Sequence, residues 1–209
     1  MKLKKSFLAS FRLPKQGCLC GVLVLMTAFL FFSCVSKPVP IPGDADLTKK
    51  DLHKQYYELG NEYYSLKNYD KALVFYKYAM ENKSMYSAAL YKCSLVYIQK
   101  SDWKNAEISF QNLLKKDAAN DSLKASLAYV YAMQGEYESA EEIYTALIEK
   151  QPDNSEYLEN LIAIKLSQND AATSEELLKS LKEKFPDSKS IKKFTDALED
   201  LKNKETEKK

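Results

Sequence analysis

Apolar residues recur along residues 53–186 with the three- and four-residue spacing of amphipathic helices. The first such helix has one face with residues at positions i, i+3, i+4 and i+7, namely Tyr56, Leu59, Gly60 and Tyr63. A second helix is predicted from about Asp70 to Asn82, with an apolar face of its own. The 209 residues include only five glycines and six prolines. This composition favours helices over a turn-rich β fold.

The helical pattern repeats every 34 residues, a period set by alanines at positions 72, 106 and 140. Each alanine has an aromatic residue three positions before it, another four positions after it, and a small residue twelve positions before it. These flanking residues are Tyr69, Tyr76 and Gly60, then Trp103, Phe110 and Ser94, then Tyr137, Tyr144 and Ala128. We expect the small residues to let two helices approach closely. Stacked helix pairs can bury apolar faces that a single pair leaves exposed.

This order of small residue, aromatic, alanine, aromatic and closing proline resembles the tetratricopeptide repeat. The resemblance implies an all-α fold, a right-handed superhelical solenoid of antiparallel helix pairs. It places the repeat domain at 47–186, with the following repeats: about 53–86, 87–120, 121–154 and 155–188. Three repeats are clear. The fourth is degenerate because Ile162, Lys165 and Ser174 stand where the small residue, an aromatic and the alanine are expected.

A last helix is predicted at 187–203. Its apolar stripe consists of Ile191, Phe194, Leu198 and Leu201, with charged residues opposite. A solenoid needs a terminal element with a polar outer face to cover its last repeat, so we expect this helix to cap the fold. Residues 204–209 are expected to be a disordered tail.

The N-terminal residues indicate export. Residues 18–32 carry no charge and follow a basic stretch, a length typical of a secretory signal and shorter than the about 20 residues of a membrane-spanning helix. The array Phe31-Phe32-Ser33-Cys34 resembles a bacterial lipobox, in a form similar to that of spirochaetal lipoproteins. The resemblance implies a lipoprotein signal peptide at 1–33 and a lipid such as palmitate on Cys34. The segment 34–46 contains three prolines and a glycine, so we expect it to be an extended tether. An uncleaved membrane anchor is the alternative.

The net charge of +2 depends on the N-terminal segment. Without residues 1–33, the chain has 26 basic and 29 acidic side chains, and it has lost Arg12, its only arginine. Proteins that bind nucleic acid use arginine side chains on a basic face. We therefore expect no nucleic-acid partner.

Side chains suited to catalysis are scarce. His53 is the only histidine, which excludes a multi-histidine metal site and leaves no second base for a triad. Cys93 occupies a repeat position inside a helix pair, where a buried structural thiol is expected. The sequence has no glycine-rich phosphate loop. We expect a protein that is not an enzyme, without catalytic residues, cofactor or metal ion.

Nine of the fifteen tyrosines fall into two sets. One set occupies repeat packing positions: Tyr63, Tyr76, Tyr97, Tyr131 and Tyr144. The other lies on the face of the first helices that, by the resemblance, lines a concave groove, together with nearby residues: Tyr57, Asn61, Tyr64, Tyr91, Leu95, Ile98, Tyr129 and Met133. Tyrosine combines apolar area with a hydrogen-bonding tip, as recognition surfaces do. Ordinary packing between helices is the alternative for this second set.

Members of this repeat family can hold the terminal carboxylate of a chaperone in a clamp of Lys, Asn and Arg side chains. Asn61 matches one clamp position, whereas the other positions differ: Tyr57, Lys92, Ser122 and Ser126. An apolar or aromatic peptide, or an amphipathic helix, is therefore the expected ligand of the groove.

The sequence predicts a lipid-anchored scaffold in the bacterial cell envelope, facing the periplasm or the cell surface, with an envelope protein or peptide as its partner. We expect this scaffold to contact the membrane through the lipid on Cys34. Two alternatives remain open. The first is a lipoprotein that binds a small apolar ligand for a transporter, and the second is a surface adhesin.

Overall fold

The computed structural model describes residues 44–207, and within that range the chain forms nine α-helices and no strand. The helices are α1 (Asp44–Ser65), α2 (Tyr69–Met80), α3 (Tyr86–Gln99), α4 (Trp103–Leu114), α5 (Asp121–Gln134), α6 (Tyr137–Lys150), α7 (Ser155–Ser167), α8 (Ala171–Lys184) and α9 (Ser190–Glu207). The prediction of an all-α fold is confirmed.

The helices stack in sequence order. From α2 onward each helix packs against the next one, and α7 also contacts both α5 and α9. The odd-numbered helices α5, α7 and α9 therefore lie side by side in one layer. Residues exposed on this layer share one surface of the stack.

The close approach of α1 and α2 depends on Gly60. A Cβ atom at this position would lie 2.6 Å from both Cδ1 and Cε1 of the Tyr76 ring. Tyr76 and Ala72 are fully buried on α2. The prediction that small residues bring the two helices together is confirmed.

In the fourth repeat two residues of similar size replace the small and the large residue at this contact. The corresponding pairs along the chain are Gly60 and Tyr76, Ser94 and Phe110, Ala128 and Tyr144, and Ile162 and Leu178. Ile162 and Leu178 are both buried and belong to one apolar cluster. Compared with the other repeats, α7 has a larger residue at this contact and α8 a smaller one, and cores tolerate changes that conserve the total volume.

The two helices of each pair are joined by the same tight turn. One residue in each turn has a positive φ, and these residues lie 34 positions apart: Lys67 (57°), Ser101 (55°), Gly135 (83°) and Asn169 (59°). The N–H of the next residue donates to the carbonyl five positions back, at 2.8, 2.8, 2.9 and 3.0 Å in chain order. This is the hydrogen bond of a Schellman motif. The degenerate repeat therefore has a complete turn.

Glutamates join consecutive repeats. In three units a glutamate follows the alanine position of the repeat, and its carboxylate accepts a hydrogen bond from the next odd-numbered helix. The pairs are Glu107 with Gln134 (3.1 Å), Glu141 with Lys165 (2.6 Å) and Glu175 with Lys202 (2.6 Å). Lys202 lies on α9, so the last helix is attached in the same way as the helices of the repeats.

The predicted disordered tail was placed too early. Helix α9 continues to Glu207, so most of the segment 204–209 is helical. The residues after Leu201 include no glycine or proline, and Asp200 and Lys204 stand at i and i+4, where side chains of opposite charge can pair along a helix. Nothing in this stretch stops the helix.

The first helix begins earlier than predicted. Helix α1 begins at Asp44, inside the segment 34–46 assigned to the tether, because the last helix-breaking residues are Pro42 and Gly43. The predicted signal peptide and Cys34 lie outside the described residues. Between residues 44 and 207, no helix is long and apolar enough to cross a membrane.

Candidate functional site

The eight predicted groove residues lie on the odd-numbered helices α1, α3 and α5. We call this set the tyrosine face; it comprises Tyr57, Asn61, Tyr64, Tyr91, Leu95, Ile98, Tyr129 and Met133. Three of its members are the most exposed, with 37% of Tyr91, 38% of Tyr129 and 46% of Met133 open to solvent. The other five are half-buried.

Asn61 is fixed by contacts within the protein. Its side-chain oxygen accepts a hydrogen bond from the Tyr76 hydroxyl at 3.0 Å, and its Nδ2 donates to Oε2 of Glu58 at 3.3 Å. The Tyr57 ring lies 5.9 Å from the Tyr76 ring. This end of the face is therefore an ordered aromatic cluster with an acidic side chain beside it.

Tyr64 and Tyr91 extend the aromatic surface across two repeats. Burial raises the pKa of the Tyr64 hydroxyl, and the neighbouring hydroxyls of Tyr69 and Tyr91 raise it further. The Tyr64 and Tyr91 side chains are thus close enough to interact. Tyr91 also covers Phe110 of the core, with the ring centroids 6.3 Å apart. One side of the Tyr91 ring therefore packs on Phe110, and the other side is exposed to solvent.

The next part of the face is built on α5. The rings of Tyr129 and Trp103 meet edge to face at 6.4 Å, a favourable arrangement for aromatic pairs. The two remaining aliphatic members are less available to a ligand, because Leu95 is half-buried and Ile98 packs against the core cluster of α4 and α5.

A small cavity opens between α5 and α7, next to Tyr129 and Met133. We call it the α5–α7 cavity; its volume is about 120 Å³. Its lining residues are Tyr129, Ala132, Met133, Tyr137, Tyr144, Asn160, Ala163, Ile164 and Ser167. None of them carries a formal charge near neutral pH. Burial raises the pKa of the Tyr144 hydroxyl, which donates to the Ala125 carbonyl at 3.1 Å.

The α7 part of this cavity was not predicted. Asn160, Ala163 and Ser167 lie 34 residues after Ser126, Tyr129 and Met133. The repeat period could therefore have identified them. Their side chains are small or polar and stand in the degenerate repeat, so they lacked the aromatic signal that marked the other three repeats.

The carboxylate clamp is absent from the equivalent positions. Asn61 is already bonded to Tyr76 and Glu58, and the Glu58 carboxylate would repel a ligand carboxylate. The Ser126 hydroxyl donates to the Ser122 carbonyl at 2.8 Å, inside its own helix. The Asn61 and Ser126 side chains are thus already engaged within the protein.

Cys93 is a structural thiol, as predicted. Only 2% of the residue is exposed, and its Sγ lies 4.0 Å from Sδ of Met80. Burial raises the pKa of the thiol to about 11, an effect that Lys77 partly offsets. A thiol that stays protonated is a poor nucleophile.

A second and larger cavity lies between α5 and α6, away from the tyrosine face. Its volume is about 590 Å³, and Asp121, Lys124, Tyr131, Glu142 and Lys150 contribute to its lining. Asp121 Oδ2 lies 2.6 Å from Lys150 Nζ, and this hydrogen bond is the main reason that the pKa of the carboxyl group is lowered. Asp121 and Lys150 pair with each other, and this charged lining does not suit an apolar ligand.

Comparisons with known proteins agree with the repeat assignment. Two family models, both described as tetratricopeptide repeat, match residues 53–81 and 97–164. A protein of Treponema pallidum (strain Nichols), described as an uncharacterized lipoprotein, is 33% identical over 81 residues. The match covers 39% of this chain and 41% of that protein, so the chain matches less than half the length of this relative.

Solved structures match over more of the chain. A tetratricopeptide repeat protein from Parabacteroides merdae ATCC 43184 superposes with a TM-score of 0.63 at 18% identity, over 74% of this chain and 61% of that one. YrrB, described as a tetratricopeptide repeat protein with an unusual peptide-binding site, gives a TM-score of 0.56 at 18% identity, over 75% and 89%. At such identities the likeness concerns the fold. The described helices therefore form an all-α solenoid of helix pairs, and residues 53–81 and 97–164 match tetratricopeptide-repeat models.

Proposed function

We propose that this chain is a lipid-anchored scaffold of the bacterial cell envelope, which binds an apolar or aromatic peptide, or an amphipathic helix, on the tyrosine face. The observation that carries the proposal is the row of partly exposed tyrosine rings on three successive odd-numbered helices. Tyr64, Tyr91 and Tyr129 each rest on another aromatic ring. Rings held in this way lose little conformational entropy when a partner covers them.

A binding role is supported over catalysis by the state of the reactive groups. The buried thiol of Cys93 is held in its protonated form, and within residues 44–207 no three His, Cys, Asp or Glu side chains form a group that could hold a metal ion. Solenoids of this kind present extended surfaces to protein partners.

A peptide is favoured over a small ligand on the tyrosine face. Sites for drug-sized molecules usually enclose about 300–1,000 Å³, whereas the α5–α7 cavity encloses about 120 Å³. A cavity of that size suits one side chain of a longer partner. The rest of the partner would then lie along the tyrosine rings.

The anchoring part of the proposal rests on Cys34. The lipobox-like array Phe31-Phe32-Ser33-Cys34 and the description of the Treponema relative as a lipoprotein both support it. Labelled palmitate is expected to enter the wild-type chain and not the variant Cys34→Ala. Label that persists in the variant would overturn the assignment.

The binding part is tested by removing the rings. In native membranes, the variant Tyr64→Ala, Tyr91→Ala, Tyr129→Ala should lose the crosslinked partners that mass spectrometry identifies with the wild type. The matched control is Tyr78→Ala, because Tyr78 is 45% exposed on α2 and lies outside the tyrosine face. Equal crosslinking by both folded variants would show that the tyrosine face is not the binding surface.

A further inference from the structure

The two ends of the tyrosine face differ in the polar groups they offer to a ligand. At the α1 end, Asn61 is bonded to Tyr76 and Glu58. In the part of the chain that the structure describes, no protein group forms a hydrogen bond with the Asn160 amide or with the hydroxyls of Tyr129 and Tyr137. All three side chains line the α5–α7 cavity. This end can therefore hydrogen-bond a ligand without breaking contacts inside the protein.

We propose that the α5–α7 cavity is the anchor subsite of the groove. It takes one bulky apolar side chain from an uncharged, internal stretch of an extended peptide, whose backbone is hydrogen-bonded by Asn160. This inference rests on the proposed function, because it names the ligand chemistry of the same surface.

The lining sets the charge of the ligand. The lining of the cavity is largely apolar, with Ile164, Ala132 and Ala163 beside the buried Tyr144 ring. A charged side chain placed here would lose its hydration without meeting a counter-charge, which is costly. An apolar side chain would instead bury its surface. A neutral stretch is therefore preferred.

The Asn160 amide, which has no hydrogen bond within the described residues, determines the conformation of the ligand. A helix bonds its own backbone N–H and C=O groups internally, so it would leave Asn160 without a backbone partner. An extended peptide exposes both groups, and an asparagine amide can donate to the carbonyl while it accepts from the N–H. An internal stretch meets this requirement without a terminal carboxylate, unlike the ligand of the family's clamp.

The proposal is tested by selecting binders of the full chain from a library of random dodecapeptides. Each peptide is displayed with both of its ends fused to the display protein, so that it has no free terminus. Peptides that bind should share one bulky apolar residue flanked by uncharged residues. The variant Ala163→Phe, which fills the cavity from an exposed position, should weaken their binding about tenfold, in the range that a buried anchor residue contributes. The matched control Ala172→Phe adds the same ring at an exposed position of α8 outside the cavity and should bind as the wild type does.

Two further measurements test the anchor directly. Methyl labelling of methionine should give a peptide-dependent shift for Met133, which lines the cavity, and none for Met80, which packs against Cys93. N-methylation of the peptide backbone beside the anchor residue should weaken binding, as should Asn160→Leu. Amidation of a free peptide's C-terminus should have no effect.

The outcomes separate this inference from the proposed function. If the selected peptides bind Ala163→Phe as tightly as wild type but lose binding to Tyr64→Ala, Tyr91→Ala, the anchor subsite is wrong and the groove function stands. If the peptides tolerate both sets of substitutions, or if none is selected, both proposals fail. Acidic peptides, or a requirement for a free carboxylate, would also overturn the anchor assignment.

Discussion

The hydroxyl of Tyr76 on α2 donates a hydrogen bond to the side-chain oxygen of Asn61 on α1, at 3.0 Å. The same ring fills the space beside Gly60. Burial raises the pKa of the Tyr76 hydroxyl, so this group remains a donor throughout the ordinary pH range. One buried tyrosine thus sets the distance between the first two helices and fixes a polar side chain on the tyrosine face.

Removal of that hydroxyl should cost a modest amount of stability. We expect Tyr76→Phe to lower the free energy of unfolding by about 1 kcal/mol, the usual contribution of one hydrogen bond. Urea denaturation measures the change. Tyr78→Phe is the control, since the exposed Tyr78 hydroxyl has no hydrogen bond to the described residues. Equal changes in the two variants would mean that the bond to Asn61 contributes nothing.

A methyl group at position 60 should be destabilising despite the higher helix propensity of alanine. The new Cβ would lie 2.6 Å from the Tyr76 ring, and overpacking costs about 1–3 kcal/mol, against a propensity gain of about 1 kcal/mol. Gly60→Ala should therefore unfold at lower urea concentration than wild type. Combined with Tyr76→Leu, it should cost less than the sum of the single changes.

We expect this coupling because the fourth repeat has both changes at once. Ile162 is larger than the residues at the equivalent positions, and Leu178 is smaller. A double-mutant cycle measures the coupling energy. Strict additivity of Gly60→Ala and Tyr76→Leu would contradict the steric account.

The buried hydroxyl of Ser174 should be a weakness of the fourth repeat. Ser174 is 1% exposed, and its Oγ has no hydrogen-bond partner among the described residues. Ser174→Ala removes this unpaired group and restores the alanine of the other repeats, so it should stabilise the fold by about 1 kcal/mol. Ser109→Ala is the matched control, because the Ser109 hydroxyl donates to the Asn105 carbonyl at 2.7 Å. It should give no such gain in thermal unfolding.

Substitutions at two of the turn residues with positive φ should change the stability of the fold in different directions. Gly135→Ala puts a side chain on a left-handed residue, which costs about 1–2 kcal/mol, although no atom lies within 4 Å of the added carbon. Ser101→Gly relieves the same strain at the equivalent turn and should be neutral to stabilising. Calorimetry of the two variants gives the comparison. A Gly135→Ala variant as stable as wild type would contradict the strain at this turn.

Cys93 should make stability depend on pH in the alkaline range. The pKa is about 11 in the folded chain, raised from an ordinary value of 9.0 because burial disfavours the thiolate. The folded state binds this proton more tightly, so its contribution is complete below the unfolded pKa and is lost as pH rises from 9 towards 11.

The measurement compares unfolding free energies of wild type and Cys93→Ala across this range. Their difference should be constant below the unfolded pKa and shift against the wild type above it. Alkylation of Cys93, followed on its own peptide by mass spectrometry, should be slow in the folded chain and fast in denaturant. Equal alkylation rates would show that the thiol is accessible.

The sequence was sufficient to predict the helix pairs because their determinants are local and repeated. The spacing of Gly60, Ala72 and Tyr76 requires two helices in close contact, and three copies of the spacing make chance agreement implausible. The same reasoning predicted that Cys93 would be buried. These are packing constraints, and they recur wherever one helix pair meets the next.

The site was less predictable, because its properties depend on contacts between repeats. Exposure of Tyr91 and Tyr129 follows from which rings lie beneath them, Phe110 and Trp103. The fixed state of Asn61 depends on a hydroxyl fifteen residues away on the next helix. Such relationships between side chains have no periodic signal, and they decide which polar groups remain available to a ligand.

The sizes of Ile162 and Leu178 also affect how the repeats assemble. Units of similar sequence can dock one position out of place, a common failure of repetitive chains during folding. Beside Tyr76 or Tyr144, Ile162 would clash where a glycine or an alanine is required. The size of Ile162 thus disfavours docking of the fourth repeat in the place of an earlier one. The last helix then packs on the correct repeat, so the stack has the correct number of units.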